Sequence, residues 1–340
     1  MELHSTPHGG IPPTIGRYRV VDRIGHGAMG DVYAAIDEDI GRRVAIRVMP
    51  PDQKSEMTGQ VTHPNVVTVF DRGEDHGRPY VVMELLEGAS LAEFLQRPDA
   101  QSLQAKTALM LQVCDGLQAA HDRGVVHGHL KPGHVLVQQS GVVKLLDFGA
   151  PLSGVSAYAP PEQVNGGRAD QRSDIFSAAA VFHFMLTGRP PHAPGAAGGD
   201  VNEALGRVLA KALDERPDRR HQSVAHLRAE IDQVRRSQEG DRYRVVRAAL
   251  DRYRQIEELI DQGRALGRRL GLAAIERECG QRSAQLASAF PEFARSGNDS
   301  GVIVLMDPTR ATAALALLQT WHNEVLAEVS VLQAANGGRR

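Results

Sequence analysis

The sequence predicts an α+β fold in two lobes, one small and β-rich and one larger and helical, followed by an all-α region. Three observations carry this. Residues 17–86 hold short runs rich in β-branched residues, punctuated by Gly, Pro or charge. From about residue 90 the apolar spacing becomes helical. Beyond the polar stretch 236–240, a long charged segment keeps the helical period.

The elements follow in order. Residues 1–16 are rich in Gly, Pro, Ser and Thr and read as a disordered lead-in. Strands are expected at 17–25, 30–37, 42–49, 66–73 and 79–86. Ser90 with Glu93 three positions on forms a capping box. The helix over 105–124 places Leu109, Val113, Leu117 and Ala120 on one face and stops at Gly124. Two short strands, 134–139 and 142–149, make a hairpin-like pair, and helices return over 170–188, 201–213 and 223–236.

The first domain therefore spans 17–236, and a helical hairpin or small bundle spans 241–336. Its helices are expected over 242–271, 274–290 and, behind Pro308, 309–335, with a loop at 293–301. Leu315, Leu318, Val325 and Val329 form a stripe on the last helix, suited to a partner, a second copy or the neighbouring helices.

Bulk properties exclude several classes. The 340 residues carry a net charge of −2, which offers no global attraction to nucleic acid or an anionic membrane. No apolar run approaches the roughly 20 residues needed to span a bilayer. Two distant cysteines, Cys114 and Cys279, fit a reducing cytoplasm and no disulfide framework.

The motifs are more informative. Gly25, Gly27, Gly30 and Val32 match G-x-G-x-x-G-x-V between two strands, a pattern that by itself also suits a tight hairpin. VAIR (44–47), HGHLKPGH (127–134), DFG (147–149), APPEQ (159–163), SDIF around Asp174 and RPDRR around Arg220 follow in sequence. In that order the segment 17–236 resembles a bacterial Ser/Thr protein kinase domain of the actinobacterial type.

The resemblance implies roles. Gly25, Gly27 and Gly30 would cover nucleotide phosphates, and Val32, Ala45 and Leu136 would sandwich the adenine. Met83 would be the gatekeeper, with the backbone of Glu84 and Leu86 meeting the base; Lys131 belongs to the same nucleotide site. Asp147 would hold Mg²⁺, and His127 would pack under Phe148, beside Gly149. Asp174 would anchor the catalytic loop and Glu162 would pair with Arg220, roles that serve the fold.

Departures from the pattern decide the reading. Phosphoryl transfer in the family uses a strand lysine, a loop aspartate and a metal-binding asparagine. Those positions hold Arg47, His129 and His134. A forked guanidinium does not replace a point charge, and imidazole is a poor Mg²⁺ ligand. Only 15 residues separate Arg47 from His63, too few for the usual helix, with Glu56 as a surrogate for its glutamate. The segment from Asp147 to Glu162 is equally curtailed, with Val155 at a threonine position and Ser153 and Ser156 its remaining serines.

The expectation is a degenerate kinase domain, a pseudokinase, acting as a regulatory or scaffold module that binds ATP weakly, with Mg²⁺ doubtful. Three alternatives stand beside it. One is a weak or atypical Ser/Thr kinase with His129 as base. Another is a helical adaptor resting on the kinase lobe. The third is a transition-metal site from His127, His129, His134 and Asp147. A protein partner is expected on the helical lobe or the C-terminal helices, a second copy included, and neither nucleic acid nor a membrane span.

Overall fold

The computed structural model describes residues 11–27, 29–51, 61–100, 102–149, 156–191, 202–294 and 308–337. Glu56, Ser153 and Val155 fall outside these residues, as does most of the 293–301 loop. The chain divides into two compact units, Met1–Arg235 and Arg236–Arg340.

The first unit begins with a six-stranded antiparallel sheet. Its strands are β1 (Thr14–Ile15), β2 (Tyr18–Gly27), β3 (Gly30–Asp37), β4 (Arg42–Val48), β5 (Val69–Asp75) and β6 (Arg78–Glu84), in spatial order β1-β2-β3-β4-β6-β5. β1 corrects the expectation of disorder through residue 16. Thr14 and Ile15 pair with Arg19 and Tyr18 across a turn at Gly16, whose φ is +54°. The pairing holds because Ile15 buries its side chain beside Tyr18 and Tyr80.

Strand alternation sorts the sheet residues into two faces. Val44, Ile46, Val48, Tyr80 and Val82 pack on one. Ala45, Val81 and Met83 pack on the other with Val32, Leu86 and Leu146. Arg47 shares the parity of Ala45, so the same period that makes β4 a half-buried strand aims a guanidinium at the second face. In register, Arg47 lies between Val32 of β3 and Val81 of β6.

A second sheet orders β7 (Gly88–Ser90), β8 (Val135–Gln138) and β9 (Val143–Leu145). The expected hairpin thus gains a third strand, β7, which leads directly into α1 (Leu91–Phe94) through the Ser90–Glu93 capping box. The helical lobe is built from α2 (Leu103–His121), α3 (Pro161–Val164), α4 (Gln171–Thr187) and α5 (Glu203–Ala212). Leu109, Val113, Leu117 and Ala120 of α2 are buried against Ile175, Ala179 and Phe182 of α4 in one continuous core. Asp170 caps α4 by accepting from the Arg172 and Ser173 amides, and Gly188 ends it with φ of +75°.

The helix expected to stop near residue 236 does not stop there. α6 runs from Val224 to Leu270, through 236–240. That polar stretch contains no proline, and one interior glycine, Gly240, costs a helix only about 1 kcal/mol.

The second unit contains the later part of α6 with α7 (Ala273–Ala289), α8 (Pro291–Ala294) and α9 (Pro308–Gly337). α6 and α7 form a hairpin across Gly271. A Cβ at Gly263 would stand 3.3 Å from Cys279 Sγ, and one at Gly267 would stand 3.2 Å from Ile275 Cγ2. Small residues four apart let the two helices approach.

The α9 stripe turns inward. Leu318, Val325 and Val329 are buried and Leu315 packs beside them, against Tyr253, Ile256, Cys279 and Leu286. Of the three uses open to it, the stripe takes packing on the neighbouring helices, and the buried part is not a free docking surface for an adaptor.

Candidate functional site

The sequence motifs converge inside the first unit around two buried carboxylates, Asp174 and Asp147. Asp174 lies in the first turn of α4 and is 1% exposed. Its Oδ2 accepts from the His127 amide at 2.7 Å and from His121 Nε2 at 2.7 Å, while Oδ1 accepts from the Gly128 amide at 2.8 Å. Two amides thus tie the His127–His129 turn to α4, His121 of α2 adds a third N–H, and Gly128 adopts φ of +73° within the turn.

A second brace lies alongside. Arg220, its side chain fully buried, donates from Nη1 and Nη2 to the two oxygens of Glu162, each at 2.8 Å. Ser173 Oγ adds a bond to Glu162 Oε1. Burial pushes the Glu162 carboxyl up, but the bonds from Arg220 and Ser173 outweigh it and hold the carboxyl below its usual range.

Three histidines line the loop, and their bonding differs. His127 is fully buried, with its ring 4.5 Å from that of Phe148. Its Nδ1 accepts from the His129 amide, and its Nε2 is buried with no partner. His134 sits at the end of a short 3₁₀ turn (Pro132–His134) and donates from Nδ1 to the His129 carbonyl at 2.7 Å. A carbonyl only accepts, so the proton is on Nδ1 and the neutral ring keeps its lone pair on Nε2.

Burial and the Lys131 charge push the rings toward neutrality. His127 adds to this at both rings: His129 falls to about 4, and His134, which also feels His129, falls to about 2. Neither ring carries charge at neutral pH, and neither supplies the negative charge of a carboxylate.

Asp147 is 2% exposed with φ of +65°, a left-handed conformation that aspartate tolerates better than most residues. Arg47 Nη1 donates to its Oδ1, and His134 Nε2 stands 3.6 Å from its Oδ2. The Arg47 Nε is buried with no partner.

These residues do not fit a divalent cation. One carboxylate oxygen is already engaged by a fixed positive charge, and the neighbouring donor is a nitrogen. Mg²⁺ demands near-octahedral oxygen coordination. Among the described residues no group of three His, Cys, Asp or Glu donors converges on a point, which weighs equally against the transition-metal alternative.

The expected base pocket assembles in part. Val32, Ala45, Met83 and Leu86 pack in one cluster. Leu136 is only half-buried, on β8 opposite Ser90, and is outside that cluster. Gly27 has no atom within 4 Å of a Cβ, whereas a Cβ at Gly30, with φ of +101°, would stand 1.9 Å from the Val48 carbonyl oxygen. Gly30 is thus required by close backbone approach, and Gly27 by no contact of the fold.

Sequence reasoning missed several supports. Glu84 Oε1 accepts from Lys144 Nζ and from the Thr68 amide, both at 2.7 Å, so its side chain braces β6 to β9. Gln163 donates to the Gly128 carbonyl. His121 follows Leu117 by four residues on the buried face of α2, a spacing that could have revealed it. Ser156 Oγ accepts from the Tyr158 amide within a turn.

A β-sheet lobe followed by a helical lobe, with a DFG segment after β9 and a loop anchored by a buried helix aspartate, defines the protein kinase class. The chain belongs to the protein kinase domain family, whose model matches residues 18–231, more than half of the chain.

Its relatives include bacterial serine/threonine kinases. A probable serine/threonine-protein kinase of Corynebacterium efficiens is 33% identical over 206 residues, 52% of this chain and 31% of the relative. The serine/threonine-protein kinase Pkn1 of Myxococcus xanthus is 33% identical over 261 residues, 63% of this chain and 37% of its own. Serine/threonine-protein kinase PknB of Mycobacterium tuberculosis is 27% identical over 267 residues, 64% and 43% respectively. The chain spans less than half the length of these relatives. No described helix is long and apolar enough to cross a membrane.

Proposed function

We propose that this chain is a pseudokinase, a kinase-fold module that regulates or scaffolds and does not transfer phosphate efficiently. The observation that carries the reading is the fate of Asp147. Its carboxylate is engaged by the Arg47 guanidinium, and the two loop positions beside it hold buried imidazoles held neutral.

Efficient transfer asks for three things here: a metal-bound carboxylate, a base that orients the acceptor hydroxyl, and a point charge on the phosphates. Here the carboxylate of Asp147 is kept but engaged by Arg47, the base position holds a neutral imidazole, and the point charge has become a forked guanidinium. The intact turn, by contrast, keeps its anchors at Asp174 and at Glu162 with Arg220, as expected of a fold retained for recognition. Weak nucleotide binding through the glycine hairpin and Lys131 belongs to the same proposal.

The test is labelled-phosphate transfer from ATP to the chain itself and to a generic protein acceptor, in Mg²⁺ and in Mn²⁺. No transfer above an ATP-only control is expected. Transfer that vanishes in Asp147→Asn would establish the atypical kinase instead.

A further inference from the structure

The disagreement between this site and a divalent cation points to a specific ligand chemistry. Arg47 is a cation built into the sheet, positioned by pairing with β3 and β6 and in contact with the one carboxylate a metal would use. Its Nε–H is buried without a partner in the fold, an N–H donor left for an acceptor that the chain does not supply.

The formal charges of the groups gathered here lean positive. Arg47 contacts one carboxylate, Asp147, and a second cation, Lys131, makes its charge felt at both His129 and His134. No imidazole adds a negative charge. An anion therefore meets an unmet donor and an excess positive charge. A divalent cation meets a carboxylate already neutralised and a ring nitrogen 3.6 Å from its other oxygen. Val32, at the base of the hairpin that carries Gly25, Gly27 and Gly30, pairs with Arg47 itself, and a Cβ at Gly27 would meet no atom within 4 Å.

We propose that this site binds the phosphates of a nucleoside triphosphate without a divalent cation, with Arg47 in the metal's role as counter-charge. The proposal deepens the pseudokinase reading and rests on its nucleotide-binding part. Arg47 Nε is the donor assigned to a phosphate oxygen, while Nη1 stays on Asp147.

The experiment is equilibrium titration of the full chain with ATP, by calorimetry or by displacement of a fluorescent ATP analogue, once in EDTA and once in excess Mg²⁺. Affinities within about twofold of each other are expected. A gain of about tenfold or more on adding Mg²⁺ overturns the proposal, and so does absence of binding in both buffers.

Two variants separate the parts. Arg47→Met should weaken binding in EDTA by about tenfold or more, with Arg47→Lys recovering part of the loss. Asp147→Asn frees the guanidinium, so binding in EDTA should be unchanged or tighter. If Arg47→Met melts far below the parent, the Asp147→Asn result decides by itself, and loss of EDTA binding there overturns the proposal. Phosphate transfer is read separately: its appearance refutes the pseudokinase reading, and the binding measurements refute this one.

Discussion

Asp174 and Asp147 are buried to nearly the same degree, yet they are held in opposite ways. Asp174 accepts three N–H donors, two of them backbone amides of the loop it supports. Asp147 depends on one long side chain from another sheet, 100 residues away in sequence, and faces a lone pair on its other side. The first is locked by groups that no substitution can remove from the backbone. The second rests on an arginine at the position where the family keeps a lysine. A fold can shed chemistry at the second site and still keep its shape through the first.

The comparison can be broken most directly at Asp174. Asp174→Ala leaves two amides and an imidazole N–H buried without acceptors, and should cost about 3–5 kcal/mol. Chemical denaturation followed by near-UV signals from the first unit measures it. A loss below about 1 kcal/mol would mean that water replaces the carboxylate and that the loop is not anchored there.

Asp147→Asn should cost less, about 1–2 kcal/mol, because its partner Arg47 is not fully enclosed and can turn toward solvent. Equal losses at the two aspartates would erase the distinction drawn between them.

A further expected effect is on pH dependence, of a size similar to that at Asp147. His129 and His134 titrate in the folded chain at about 4 and about 2, below their ordinary value of 6.5. Between those values the unfolded chain binds more protons, so their contribution is complete above pH 6.5 and is lost as pH falls below it. Each ring should remove roughly 1 kcal/mol per pH unit on acidification through pH 6 to 5. His134→Asn should flatten the slope of melting temperature against pH in that window. An unchanged slope would place the acid sensitivity elsewhere. Glu162, held low mainly by Arg220, contributes only at lower pH: its stabilisation is present above 4.5 and fades as pH falls through its depressed value.

Much of the frame was legible before any coordinate. The order of the motifs located Asp174, Glu162 and Arg220, and helical spacing found the buried face of α2. Local rules sufficed there because a capping box or an apolar stripe is decided by residues three and four apart. Boundaries were harder. Composition alone makes the lead-in look disordered through residue 16, because the value of Ile15 lies in distant tyrosines. The polar composition of 236–240 resembles a linker, although nothing in it forbids a helix.

The sequence by itself determined the fold class, the place of the loop and the identity of the replaced residues, since these follow from periodicity and motif order. Only the tertiary structure decided what the replacements do. The pairing of Arg47 with Asp147, the lone pair of His134 aimed at the same carboxylate, and the inward turn of the α9 stripe all join residues far apart in the chain. Which partner a buried charge or an apolar face meets depends on the packing of the whole unit, and no local pattern encodes it.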